Sequence, residues 1–120
     1  MPFEITVSRE FCAAHQLRLA DGSFEPLHGH NWHLRVTAAA DNLDRIGTVM
    51  DFHELEHLVD EVIGPIHNSN LNDVPAMKSM NPSAENIALH IARSLRLPNK
   101  VRLVSVEVTE AAGCMARYVP

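Results

Sequence analysis

Residues 28–38 read HGHNWHLRVTA, and their alternation decides how the rest of the chain is read. Trp32, Leu34 and Val36 fall on one parity and Asn31, His33, Arg35 and Thr37 on the other, the pattern of a half-buried strand. His28 and His30 share the apolar parity. Upstream, residues 3–15, FEITVSREFCAAH, alternate in the same way, with Phe3, Ile5, Val7, Phe11 and Ala13 on one parity and His15 at its end. The connection of about ten residues contains the turn dipeptide Asp21-Gly22, so the two strands read as an antiparallel hairpin with a long loop. Such a hairpin carries His15, closing one strand, to His28 and His30, opening the next.

The middle of the chain changes period. In DFHELEHLVDEVIG the residues Phe52, Leu55, Leu58, Val59, Val62 and Ile63 make a helical stripe, with Asp51 as N-cap, Glu54 completing a capping box and Gly64-Pro65 as the stop. A second helix opens at NPSAEN, capped by Ser83 or by Asn81 with Pro82 at the first position, and carries Ile87, Ala88, Ile91 and Leu95 to Leu97-Pro98. KVRLVSVEVTE returns to alternation, with Val104, Val106 and Val108 on one face and Glu110 continuing it. Residues 114–119 follow Gly113 as a short fourth strand. The order ββααββ predicts an α+β fold: a four-stranded antiparallel sheet with two helices on one face. The other face is then expected to be buried against a second subunit, which makes the protein an oligomer.

With 120 residues, 46% of them apolar, the chain suits one domain spanning 1–120. A net charge of −5 without a Lys/Arg block argues against nucleic acid as a partner. The N-terminus lacks a targeting pattern, and no apolar run approaches the ~20 residues of a membrane span, so a cytoplasmic location is expected. Two cysteines, Cys12 and Cys114, are too few for a disulfide framework and are expected to be reduced.

The histidines carry the chemistry. His28 and His30 stand two apart on one strand face, Gly29 leaves room for close approach, and His15 adds a third imidazole from across the hairpin. Three neutral nitrogen ligands with one open position match a catalytic Zn2+ site, since closed structural sites use four ligands with cysteines among them. His33, His53, His57 and His90 read as surface residues. Glu25 is either a general base facing the metal-bound substrate or a solvated loop charge. Glu110, a carboxylate ending an apolar strand face, needs partners: paired N–H donors of a flat heterocycle, or an arginine. Cys12 has the opposite parity to His15 and should point away; Cys114 reads as packing.

The motifs FCAAH, LHGHNW, GTVMDF, LNDVP, NPSAEN and VEVTE, in that order over the whole chain, resemble the 6-pyruvoyltetrahydropterin synthase and 6-carboxytetrahydropterin synthase family. The resemblance implies the tunnelling fold, in which trimers close their sheets into a barrel and two trimers stack into a homo-hexamer with sites between subunits. It implies a lyase acting on 7,8-dihydroneopterin triphosphate, with His15, His28 and His30 in the places of the zinc ligands. Glu110 takes the place of the glutamate that anchors the pterin ring and joins the charge relay. The triphosphate needs cations, for which Arg9, Arg18, Lys78 and Arg102 are candidates.

The departures matter as much. Phe24 stands where the family's catalytic cysteine is usual, and His67-Asn68 replaces its Asp-His pair. Some members lack the cysteine and carry a glutamate where Glu25 sits, and for them the resemblance implies cleavage to 6-hydroxymethyl-7,8-dihydropterin, a folate precursor. His67 is then either a proton-transfer group or a buried histidine satisfied by backbone. Two alternatives remain: the standard 6-carboxy- or 6-pyruvoyl-tetrahydropterin product made by a repositioned base, with queuosine rather than folate as the route, and a non-catalytic pterin binder.

Overall fold

The structure, a computed structural model, describes residues 1–120. Strands β1 (Phe3–His15) and β2 (His28–Ala40) pair antiparallel in unbroken register, from Phe3 opposite Ala40 to His15 opposite His28. Register is pinned by an aromatic pair on the buried face. Phe11 lies opposite Trp32 with ring centroids 6.0 Å apart and nearly parallel, and the Trp32 indole N–H donates to the Ala13 carbonyl at 3.1 Å. A slip by one residue would turn both rings to the other face of the sheet.

Helix α1 (Phe52–Ile63) buries Leu55, Val59 and Ile63 against the sheet. Asp51 caps it, accepting the His53 N–H at 2.8 Å, but Glu54 makes no return bond, so the capping box is only half formed. Arg9 has the core parity of β1, and a charge there needs a partner. It grips Asp60 of α1 with Nε at 2.9 Å and Nη2 at 3.0 Å.

The four-stranded expectation is corrected by a fifth, two-residue strand. After a tight turn at Gly64–Ile66, β3 (Ser69–Asn70) runs parallel to β1 beside Ala13 and Ala14. Asn68 makes the reversal with φ of 59°, a left-handed conformation that asparagine tolerates, and its N–H donates to the Cys12 carbonyl. Helix α2 (Ala84–Ser94) is capped by Ser83, whose Oγ accepts the Asn86 N–H at 3.1 Å, and buries Ile87, Ala88 and Ile91. It stops at Ser94, before the expected Leu97-Pro98.

Strands β4 (Arg102–Ala111) and β5 (Cys114–Tyr118) complete the sheet in the order β3-β1-β2-β4-β5. Two irregularities in β4 were invisible to simple alternation. Ser105 faces Thr37 but Leu103 faces Ala38, so Val104 is the extra residue and Leu103, not Val104, packs on the core. At the other end Thr109 faces Met115 and Ala111 faces Cys114, which leaves Glu110 as a second bulge.

The helix-free face is not apolar, and this corrects the reason given for an oligomer. It carries cross-strand polar pairs: Thr6 with Thr37 at 2.8 Å, Glu10 with His33 at 3.4 Å and Arg35 with Glu107 at 3.5 Å. What the sheet leaves unpaired is its edges, β5 on one side and the N-terminal part of β1 on the other. No helix is long and apolar enough to cross a membrane.

Candidate metal and substrate site

The unbroken β1–β2 register ends on the pair His15–His28, with His30 on the same face. The three ligand nitrogens lie within 4.8 Å of one another. Trp32 forms the floor, meeting the rings of His15 and His30 edge-on at 4.9 and 5.2 Å between centroids. His15 is buried, His30 half-buried and His28 exposed, so the cluster opens to one side.

Hydrogen bonds fix the direction of two rings. His15 Nδ1 donates to the Pro82 carbonyl and His28 Nδ1 to the Pro26 carbonyl, both at 2.8 Å. With those protons placed, the neutral rings present bare Nε2 lone pairs, and these two Nε2 atoms stand 3.1 Å apart. Two lone pairs at that distance require a positive charge between them. The His30 Nε2 is buried without any hydrogen-bond partner. An orphaned imidazole nitrogen beside two facing ones is a donor set suited to a divalent transition metal, with carbonyls orienting the ligands from behind. Burial holds the His30 pKa below the ordinary histidine value, against an opposing pull from Glu110.

Glu110 arrives through its bulge. Its Oε1 lies 3.2 Å from His15 Nε2 and 3.8 Å from His30 Nε2, while Oε2 makes no contact of this kind. The side chain is about one-third exposed (32%), so that second oxygen is open to a ligand.

Beyond His15 the chain stays extended and is held on both sides. Glu25 and Leu17 exchange bonds: the Leu17 N–H donates to Glu25 Oε1 and the Glu25 N–H to the Leu17 carbonyl, each at 3.0 Å. Opposite, two asparagine side chains imitate a paired strand. Asn72 accepts the Gln16 N–H at 2.9 Å and donates to its carbonyl at 2.8 Å; Asn81 does the same for Arg18 at 2.7 and 3.0 Å. Glu25 is thereby fixed to Leu17, two residues along the chain from His15.

The family model described as 6-pyruvoyl tetrahydropterin synthase matches residues 4–120. The chain belongs to the 6-pyruvoyl tetrahydropterin synthase family. It is 35% identical to the dihydroneopterin monophosphate aldolase of Pyrococcus furiosus, with 92% of this chain and 91% of that one covered. It is 39% identical to the 6-carboxy-5,6,7,8-tetrahydropterin synthase of Synechocystis, covering 90% and 86%. The Caenorhabditis elegans 6-pyruvoyl tetrahydropterin synthase structure superposes with a TM-score of 0.86 at 22% identity, over 98% of this chain and 95% of that chain, which shows the shared tunnelling fold.

Against the 6-pyruvoyl tetrahydropterin synthase pattern, the structure places the remaining candidates as follows. Phe24 is exposed, with the Arg18 guanidinium 4.9 Å from its ring centroid. His67 is exposed rather than buried; its Nδ1 accepts the Cys12 N–H at 3.1 Å, which caps the β1 edge. It is not brought to the triad. Cys12 points to the helix-free face, donating its thiol to Asn31 Oδ1. Cys114 is exposed, not packed, because β5 is an edge strand. His90 is half-buried between the helices rather than on the surface, and burial lowers its pKa. A Cβ on Gly29 would stand 3.8 Å from the Ala13 carbonyl oxygen, an ordinary contact, so ligand geometry within the chain does not require glycine.

Sequence reading missed Asn72, Asn81 and the Pro82 carbonyl. The signal was present, since LND and NPSAEN each begin or centre on an asparagine. Nothing local, however, says that those amides reach back more than fifty residues to the strand after His15 (|i−j| 56 and 63).

Proposed function

We propose that residues 1–120 act as one cytoplasmic, zinc-dependent lyase domain on phosphorylated 7,8-dihydroneopterin, giving 6-hydroxymethyl-7,8-dihydropterin. His15, His28 and His30 are the metal ligands, Glu25 is the general base and Glu110 holds the pterin ring. The observation that carries this reading is Glu25: a carboxylate is locked onto the Leu17 N–H, two residues past His15, with one oxygen outside that bond, while Phe24 occupies the usual place of the thiol. The aldolase relative supports the same outcome by its name, which specifies the monophosphate. The family resemblance implies the triphosphate.

The Lewis-acid chemistry that zinc supplies when bound, polarising the oxygens of the substrate side chain, is what lets a carboxylate take a hydroxyl proton there. Glu25 Oε2 removes the proton of the 2′-hydroxyl. As C2′=O forms, the C1′–C2′ bond breaks, and its electron pair passes into the C6=N5 system of the dihydropterin. Protonation at C1′ then yields the hydroxymethyl product, and the two-carbon aldehyde leaves with the phosphate. The free oxygen of Glu110 accepts paired N–H groups of the pyrimidine edge, which fixes C1′ against the triad. His67 touches none of these groups within one chain, so any proton-transfer role it has belongs to the site of a neighbouring copy.

The triad lies at a rim, and the larger clefts of the chain lie elsewhere, between the helices and at the far end of the sheet. A homo-hexamer in which neighbouring edges close into a barrel would complete the wall of the site.

The similarity to a 6-carboxytetrahydropterin synthase favours a second reading, the standard family product made by a repositioned base. Incubating the zinc-loaded protein with dihydroneopterin mono- and triphosphate and identifying the pterins separates the cases. Hydroxymethyl product lost in Glu25→Gln supports the first reading. A carboxy or pyruvoyl product supports the second, and tight pterin binding without turnover would mean a binder.

A further inference from the structure

A substrate with a phosphoryl tail must find positive charge on a chain with 10 Lys and Arg against 15 Asp and Glu. Placement excludes three of these cations. Arg9 is committed to Asp60, and Arg35 faces Glu107. Arg102 pairs with Ala39 at the opposite end of β2 from His28, about 35 Å away at ~3.3 Å per residue.

One cleft, of about 530 Å3, collects two cations and no carboxylate. It lies between the extended residues after His15 and the turn leading to α2, lined by Gln16, Arg18, Phe24, Lys78, Ser79 and Asn81 among others. Neither Arg18 nor Lys78 has a carboxylate partner; the Lys/Arg ion pairs of the chain are made by Arg9 and Arg35. Arg18 is also pre-set. Asn81 holds its backbone N–H and carbonyl, and its guanidinium rests over Phe24. A planar fork already ordered loses less entropy on gripping a phosphate.

The cleft and the metal cluster are built from neighbouring stretches of chain. Asn81 precedes Pro82, whose carbonyl orients His15, and Arg18 stands three residues past His15 along extended chain, about 10 Å.

We propose that Arg18 and Lys78 form an anion subsite for the phosphoryl end of a phosphate or polyphosphate ester. On this assignment the segment 81–82 serves both halves of the ligand, holding Arg18 with Asn81 and orienting His15 with the Pro82 carbonyl. Phe24, in the place of the usual thiol, serves as the platform for Arg18. The inference rests on the proposed reaction for the identity of the ester, but not for the existence of the subsite.

The test compares zinc-loaded wild type with the Arg18→Gln/Lys78→Gln double variant. Catalytic efficiency is measured on dihydroneopterin, its monophosphate and its triphosphate, and binding of inorganic pyrophosphate by calorimetry. The preference for a phosphorylated over the unphosphorylated pterin should fall about tenfold or more, chiefly through KM, and pyrophosphate affinity should fall similarly, as expected for loss of two charge-assisted contacts. Whether the monophosphate or the triphosphate loses more identifies the ester. An unchanged preference together with unchanged pyrophosphate affinity would overturn the subsite. If wild type turns over no pterin yet pyrophosphate binding still depends on Arg18 and Lys78, the subsite stands and the reaction falls.

Discussion

The Nε2 atoms of His15 and His28 face each other at 3.1 Å while their Nδ1 atoms donate to the Pro82 and Pro26 carbonyls, both at 2.8 Å. Two lone pairs so placed repel each other, a demand for a cation that a metal ion between the rings would meet. Removing either ring removes the demand. His28→Ala, exposed and free of core packing, should fold normally but bind no stoichiometric zinc, read by metal analysis after dialysis. His15→Ala should lose both zinc and stability, because the ring is buried against Trp32.

Acid should release the metal. The His30 pKa is lowered by burial, so in the folded metal-free chain its neutral form persists below the ordinary value near 6.5. Between that value and the folded one the unfolded chain binds the proton first, so stability is fully present above pH ~6.5 and falls as pH drops. His90, lowered by burial too, adds to the same slope. Zinc bound at the proposed site would steepen it, because protons would compete for the same nitrogens. Thermal unfolding with and without zinc, from pH 8 to 5, should show the zinc-dependent gain in Tm vanishing as the pH falls.

The floor of the site is also a stability element. Trp32→Phe keeps the stacking on Phe11 but leaves the Ala13 carbonyl without its donor. The expected cost is about 1–3 kcal/mol in urea unfolding. Trp32→Ala, which also opens a cavity, should cost about 3–5 kcal/mol.

Asn72 and Asn81 hold residues 16–18, the segment whose Leu17 N–H fixes the Glu25 carboxylate, and so act as positioning residues for it. Asn81→Asp keeps the acceptor for the Arg18 N–H but turns the donor to its carbonyl into a repelling oxygen. A loss of about 1–3 kcal/mol is expected, with kcat falling while zinc content is kept. A purely structural role would leave kcat per folded molecule unchanged.

The triad was legible because strand parity is a strict rule and the register runs unbroken to its end, so His15, His28 and His30 could be placed by counting. Glu110 could be put on the right strand but not at the right height. Its bulge adds one residue to the count, and its turn onto His15 depends on β5, a partner that alternation does not specify. The same failure moved the core face from Val104 to Leu103. β3 was missed because two residues carry no period, and its pairing rests on a left-handed Asn68. The helix-free face was misjudged for a simpler reason: the polar parity of β1 and β2 was visible, yet burial was inferred from layer count instead of from the residues themselves.

Glu25 remains the residue on which the chemistry turns, and product analysis addresses it directly. Zinc-loaded protein given dihydroneopterin mono- or triphosphate should release 6-hydroxymethyl-7,8-dihydropterin and a phosphorylated two-carbon aldehyde. Glu25→Gln, which can still accept the Leu17 N–H, should keep its zinc and lose at least about a hundredfold in kcat. Undiminished turnover in that variant, or a pyruvoyl or carboxy product from the wild type, would contradict the assignment of Glu25 as the base of a side-chain cleavage.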